Sequence, residues 1–371
     1  MAAVLTETIS SMSGTLGPMT GRRYIDSLRD GREVWIDGVR VDDVTTHPAF
    51  KDMIAELARI YDLQNSEKYR DEMTCIDPAT GRRISVSWLL PRSAEDLKRK
   101  SRNSELWNEL SWGQLGRSPD ILAPYIISAL HLKDQFSAVK HPKCDFGENI
   151  ENYYKYCMSH DLFLTHAPGD PQVDRSTQPQ NEQRTVAEEE EVALHVVEET
   201  KDGVIVTGGK QLSTAAPHSH ECYVSLSPTF ARRSNPKCVL AFSIPTNSPG
   251  LKILAREPVS RWFGSWGHPL QMLDEQDCML FFDRVLVRWD WLYALRSDAD
   301  GEDAWCRRRQ RQSQLPRLVK SVSRRGAYAP VDCSCDDGGR GDRRHRLSRG
   351  RRQARRDGDL LRGLAARDGG D

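Results

Sequence analysis

From Pro48 to Leu63, Phe50, Met53, Ile54, Leu57, Ile60 and Tyr61 fall three and four residues apart. That spacing predicts an amphipathic helix with one apolar stripe, and Pro48 suits its first turn. Ser93-Ala94-Glu95-Asp96 predicts a second start, with Ser93 accepting an amide bond and acids in the first turn of a helix running toward Trp112. Pro119-Asp120 predicts a third, with Leu122, Ile126, Ala129 and Leu130 on one side, and Asn149 to Ser159 a fourth. Upstream, Tyr24 to Leu28 reads as a short helix. Asp30-Gly31 and Asp37-Gly38 then bracket Glu33-Val34-Trp35-Ile36, a hairpin signal.

Further along, the period shortens. Ala193–Glu199, Gly203–Thr207, Cys222–Leu226, Cys238–Ile244, Leu251–Ala255 and Cys278–Val287 are short β-branched or apolar runs separated by Gly, Pro, Asn and Ser. They predict a small antiparallel barrel or sandwich. The chain is therefore expected to be α+β. Residues 1–19 form a flexible arm, 20–163 a helical domain with a small hairpin, and 164–295 a middle β-barrel. Glu188–Glu191 reads as a solvated face. After about Gly301 apolar periodicity stops, and residues 296–371 are expected to be a disordered tail rich in Arg, Gly and Asp, unable to bury enough surface to offset its ordering entropy.

Charge sharpens that division. The 371 residues hold 53 basic and 53 acidic side chains, yet residues 301–371 carry 19 basic against 10 acidic ones. The first 300 residues are mildly acidic, a composition that gives no reason to bind nucleic acid or an anionic membrane. The nine cysteines are scattered without framework spacing, which predicts reduced thiols in the cytoplasm. No signal peptide and no membrane-spanning apolar run is read from the sequence.

Three segments carry candidate chemistry. In Gly116-Arg117-Ser118-Pro119-Asp120, an arginine beside free helical amides would suit an anionic oxygen. In Leu164-Thr165-His166-Ala167-Pro168-Gly169-Asp170-Pro171-Gln172-Val173-Asp174-Arg175-Ser176, the prolines forbid helix and Gly169 permits close approach. His166 can act as acid, base or donor near neutral pH, and Gln172, Asp174 and Arg175 can pair with a polar heterocycle and a phosphate. Gly208 to Ala215 reads as a turn leading into a strand, with Thr214 offering a hydroxyl. The residues alone leave open a surface arginine, an interdomain loop with a structural histidine, and a plain barrel turn. His218-Ser219-His220 has no supporting cysteine or carboxylate pattern and is not read as a metal site.

Taken in order, these segments resemble one family. They are MTGxxYxxSL from Met19 to Leu28, GRSPD, LTHAxGDPQVDRS, GGKxxxTxA, Trp266-Gly267-His268-Pro269-Leu270, and Leu280 to Val287. The set is similar to the 4-hydroxyphenylacetate 3-hydroxylase family, the large components of two-component flavin monooxygenases on the acyl-CoA dehydrogenase fold. The resemblance covers about Met19 to Leu295. It implies that a separate reductase supplies reduced FAD, which reacts with O₂ to a C4a-hydroperoxyflavin that hydroxylates a phenol ortho to its hydroxyl. Arg117 matches the arginine that binds the phenolic oxygen, and His166 the active-site histidine. Ser118, Pro119, Asp120 and Ile121 line the substrate. His166, Ala167, Pro168, Gln172, Val173, Asp174, Arg175 and Thr214 match FAD contacts. Where family hydroxylases carry a tyrosine four residues after the arginine, Ile121 stands here, which implies a different phenol.

The resemblance also implies a C-terminal helical bundle through which the family forms homotetramers. The Arg-rich tail stands in its place, and it reads as out-of-frame text of a damaged gene. A chain without the bundle is not expected to form the tetramer, and a non-catalytic remnant is one competing reading. Another is a 4-hydroxybutyryl-CoA dehydratase or vinylacetyl-CoA isomerase. That reading needs cluster-ligating cysteines near GRSPD, whereas no cysteine lies between Cys75 and Cys144. A nucleic-acid-binding protein would rest on the tail alone.

Overall fold

A computed structural model of the protein describes residues 17–171, 192–225, 236–259 and 273–295. The readings made for most of the arm, for Gln172 to Arg175, for Glu188–Glu191, for Trp266 to Leu270 and for the tail lie outside those residues.

Seven helices are described: α1 (Gly21–Ser27), α2 (Lys51–Asn65), α3 (Arg70–Met73), α4 (Ala94–Leu110), α5 (Ala123–His131), α6 (Lys133–Ser137) and α7 (Phe146–His160). The predicted stripe of α2 is buried, with Met53, Ile54, Leu57, Ile60 and Tyr61 at 2 % exposure or less. Ser93 caps α4 as expected, its hydroxyl accepting from the Asp96 amide at 3.1 Å. Two starts differ from expectation. Pro119-Asp120 begins no helix: residues 116–122 are turns and α5 starts at Ala123, with Pro124 in its first turn. Pro119 and Asp120 are drawn inward instead of standing at a solvated helix start, and both are buried. Helix α7 begins earlier than Asn149 because the Asp145 carboxylate accepts from the Gly147 and Glu148 amides.

Met19, placed at the end of the arm, is buried. Its amide donates to the Asp161 carboxylate at 2.8 Å, as does the Gln64 side-chain amide. Asp161 follows α7 in the left-handed region at φ 52°. One acid thus ties the start of the described chain to α2 and α7.

Twelve strands are described. They are β1 (Glu33–Ile36), β2 (Val39–Val41), β3 (Thr74–Ile76), β4 (Arg83–Ser85), β5 (Leu164–Ala167), β6 (His195–Glu199), β7 (Gly203–Gln211), β8 (Glu221–Val224), β9 (Leu240–Pro245), β10 (Leu251–Ala255), β11 (Cys278–Arg288) and β12 (Leu292–Leu295). They form a six-stranded sheet in the order β2-β1-β10-β11-β7-β6, a four-stranded sheet β12-β9-β8-β5, and the pair β3-β4. The hairpin β1-β2 turns on Asp37-Gly38 as predicted, and β1 then joins the larger sheet parallel to β10. A second parallel pair, β5 with β8, departs from the all-antiparallel expectation. Alternation cannot reveal such pairings, because it reports which face is buried and not which strand lies alongside.

One core cluster holds residues of both sheets and several helices, including Phe50, Leu57, Tyr61, Trp107, Val206, Phe242, Ile253 and Phe282. Phe242 and Phe282 meet edge to face at 6.0 Å across the two sheets. A second cluster packs α5 and α7 against Trp88, Tyr223 and Tyr293. All described residues belong to one compact unit, and among them no helix is long and apolar enough to cross a membrane.

Candidate active site

Strand β5 presents His166 at its C-terminal end. The parallel register sets His166 opposite Tyr223 on β8, and the two rings stack at 5.4 Å and 17°. Tyr125, on α5, lies 5.5 Å from the same imidazole at 45°. The Nε2 atom is 2.6 Å from the Ser225 hydroxyl. His166 is half-buried, so one ring is oriented by aromatic neighbours and a hydroxyl while keeping contact with solvent. That setting suits a hydrogen-bonding or proton-holding histidine.

The chain leaving β5 is fastened to β7. The Gln211 amide donates to the Gly169 carbonyl at 3.0 Å. Asp170 and Lys210 form an ion pair at 2.9 Å with side chains 6 % and 4 % exposed. A Cβ on Gly209 would stand 2.9 Å from the Pro171 side chain, and one on Gly208, at φ 116°, would stand 2.3 Å from the Ala193 carbonyl oxygen. The Gly208-Gly209 pair is therefore explained by close packing inside β7. It is not the turn that was expected, because residues 203–211 are one continuous strand.

Thr214 follows that strand. Its hydroxyl donates to the Asp277 carboxylate at 2.6 Å, and its carbonyl accepts from the Thr165 hydroxyl at 2.7 Å. The Ser213 and Ala215 amides donate to the Cys278 and Gln276 carbonyls, both at 2.9 Å. Residues 213–215 thus run beside 276–278 and rest on β5, next to His166.

The GRSPD loop reaches the same segment. The Gly116 amide donates to Glu275 Oε2 at 3.0 Å and the Arg117 amide to Glu275 Oε1 at 2.6 Å. These amides were expected to be free and helical. They sit in a turn and are taken by an internal carboxylate. Burial pushes the Glu275 carboxyl up to about 7, against the two amides and the Arg117 charge, which pull it down. Arg117 is half-buried; among the described residues its guanidinium has neither a hydrogen bond nor an ion pair, though its charge acts on Glu275. Asp120 faces inward: its carboxylate accepts from the Ser104 hydroxyl at 2.6 Å and the Ser118 hydroxyl at 2.5 Å. Burial raises its pKa, and the two hydroxyls oppose that. Ser118, Pro119 and Asp120 thus shape the loop, and Ile121 packs on the second core cluster.

The structure joins Thr214 to His166 through Thr165, and Arg117 to Thr214 through residues 275–277. Ala167 is fully buried at the end of β5, and Pro168 is half-buried just after it. Gln172, Val173, Asp174 and Arg175 lie outside the described residues. Sequence reasoning missed Tyr125, Tyr223, Ser225 and the Glu275-Gln276-Asp277 segment. The only signal for that segment in the sequence is its placement between the apolar Leu273 and Cys278. Among the described residues no group of three or more His, Cys, Asp or Glu could hold a metal. His218 and His220 are enclosed in the core, and burial pushes both down to about 3.

Residues 20–293 match the family model described as 4-hydroxyphenylacetate 3-hydroxylase, N terminal. The oxygenase component of 4-hydroxyphenylacetate 3-monooxygenase from Thermus thermophilus is 34% identical over 278 residues, 74% of this chain and 54% of the relative. The oxygenase component of 4-nitrophenol 2-monooxygenase from a Rhodococcus species is 32% identical over 287 residues, 76% of this chain and 52% of its own. A crystal structure of a 4-hydroxyphenylacetate 3-monooxygenase oxygenase component, in complex with FAD and 4-hydroxyphenylacetate, superposes with a TM-score of 0.66 at 31% identity. It covers 82% of this chain and 62% of that one. An archaeal 4-hydroxybutyryl-CoA dehydratase gives a TM-score of 0.64 at 18% identity, a likeness of fold alone. The chain spans about half the length of the curated relatives it matches.

Proposed function

Because the chain belongs to the 4-hydroxyphenylacetate 3-hydroxylase family, with its acyl-CoA dehydrogenase-like fold, we propose that it is the oxygenase component of a two-component phenol monooxygenase. In the cytoplasm it hydroxylates a phenol ortho to its hydroxyl, with O₂ as co-substrate and reduced FAD delivered by a separate reductase. The observation that carries this reading is convergence. The GRSPD loop, the end of β5 and residues 213–215 are far apart in sequence, yet all three are tied to one another by way of residues 275–277 and Thr165.

Arg117 holds the phenolic oxygen. Its permanent charge favours the phenolate, which raises the electron density of the ring carbon that is attacked. His166 shares a proton or hydrogen bond with the same oxygen, its ring fixed by Tyr223, Tyr125 and Ser225. Ile121 adds no second hydrogen bond, so the substrate is a phenol other than 4-hydroxyphenylacetate. Reduced FAD, when bound, activates O₂ for transfer of one oxygen atom. His166, Ala167, Pro168 and Thr214, with Gln172 to Arg175, would hold it. The donor set fits such a group. A half-buried hydroxyl, a proline-broken strand end and a stacked imidazole together offer polar contacts and an aromatic edge to a planar heterocycle. Residues 20–163 and 164–295 serve as the helical and barrel domains, and their packing excludes water from the reacting groups.

The test is to supply the purified chain with a flavin reductase, NADH, FAD, O₂ and a panel of substituted phenols, and to follow catechols by mass spectrometry. Formation of a catechol is the expected result. Reduced flavin oxidised only to peroxide, with no catechol from any phenol, would overturn the proposal.

A further inference from the structure

Both carboxylate oxygens of Glu275 accept main-chain bonds from consecutive residues of a loop 158 and 159 positions earlier in the chain. One of the two amides belongs to Arg117 itself, so the Glu275 side chain ties the turn that carries the arginine to the segment before β11. Two charge-assisted bonds to one rigid carboxylate fix the loop in two dimensions, which a single bond does not. The guanidinium is left without an ion pair among the described residues, so the acid binds the arginine's backbone and leaves its head group for a ligand.

We propose that Glu275 is a positioning residue for phenolate binding, holding the Arg117 backbone so that the guanidinium meets the phenolic oxygen. This rests on the function proposed above. The charged groups facing Glu275 are Arg117 and Asp277, while Arg256, bound to Asp274, donates to the Glu275 carbonyl. The clamp needs the ionised acid, since a protonated carboxyl gives up one acceptor. With the carboxyl pushed up to about 7 by burial, the clamp holds above that value and is released as the pH falls through it.

The test uses the full chain and 2,4-dinitrophenolate, a dye that stays ionised from about pH 6 to 8. Its binding is read by absorbance, and exchange of the 116–117 amides by hydrogen–deuterium mass spectrometry. Glu275→Gln is expected to weaken dye binding about tenfold at pH 8 and to speed amide exchange by a similar factor, about the effect of losing one charge-assisted bond. The wild type is expected to lose the same factor on acidification to pH 6, while the variant stays flat. Glu275→Asp keeps the charge with a shorter reach; it should bind the dye better than Glu275→Gln at pH 8 and keep a loss on acidification, which a folding defect common to both variants would not give. Equal or tighter dye binding by Glu275→Gln would overturn the proposal, because tighter binding is what a merely repulsive carboxylate predicts. If Arg117→Ala binds the dye as well as wild type, the function assigned to Arg117 falls and the role of Glu275 with it. If Arg117→Ala alone loses binding, that function stands and the role of Glu275 is overturned.

Discussion

His166 lies on β5, and His218 and His220 lie just before its partner strand β8, yet the two regions put the same side chain to opposite uses. At the end of β5 the imidazole is half-buried between Tyr223 and Tyr125, with a hydroxyl on Nε2. Before β8 both rings are enclosed. His220 accepts from the Phe163 amide at 2.9 Å and lies 2.9 Å from the Ser27 hydroxyl, while His218 packs edge-on to Phe50. Burial pushes both down to about 3, so neither takes up a proton at neutral pH. His218-Ser219-His220 pairs two histidines without the cysteine or carboxylate pattern of a metal site, while His166 stands alone. Their surroundings differ: the pair lies in a closed interior, and His166 on a half-open rim.

The contrast breaks if a change in the interior disturbs the rim more than the fold. The largest expected effect is on stability. Phe242→Ala, which opens a cavity between the two sheets beside Phe282, should lower the unfolding free energy by about 3–5 kcal/mol in denaturant titration.

Acidification should come next. The folded pKa of His218 lies below its ordinary 6.5, so its contribution is complete above that value. It is lost as the pH falls from 6.5 toward about 3, because only the unfolded chain binds the proton. Wild type should therefore lose about 1.4 kcal/mol per pH unit relative to a His218→Phe variant over that window. A constant difference between the two stability curves would contradict the closed setting. The comparison must be between variants, because Glu221 and Glu275, both pushed up to about 7 by burial, act with the opposite sign.

At the rim the ranking turns over. Thr214→Val removes the bond to Asp277 and should cost at most about 1 kcal/mol of stability. It should weaken reduced-FAD binding about tenfold in an anaerobic titration, and an unchanged affinity would remove Thr214 from the site. The smallest effect belongs to neither region. Arg284 and Glu198 pair at 3.0 Å with both side chains more than half exposed, and Arg284→Ala should move stability by less than about 0.5 kcal/mol.

Much of the fold is legible in the amino-acid order itself. The buried stripe of α2, the Ser93 cap, the Asp37-Gly38 turn and six of the barrel strands follow from local rules of periodicity, capping and turn chemistry. The parallel pairings of β1 with β10 and β5 with β8 were not legible, because they depend on which distant strand arrives alongside. The GRSPD loop shows the same limit. Its composition suggested an anion site on helical amides, but the amides are turned toward a carboxylate more than 150 residues away. The glycines before Thr214 were visible as glycines, while their purpose, room for Pro171 and Ala193 against β7, exists only in the fold.

The central claim is that the rim with Arg117 binds a phenolate and the enclosed core does not contribute to it. It is tested most directly by titrating wild type, Arg117→Ala and His218→Phe with 2,4-dinitrophenolate while measuring each protein's unfolding midpoint. The account predicts that Arg117→Ala loses at least about tenfold in affinity with its midpoint unchanged, and that His218→Phe keeps wild-type affinity. Equal affinity in all three proteins, or losses that simply follow the unfolding midpoints, would contradict it.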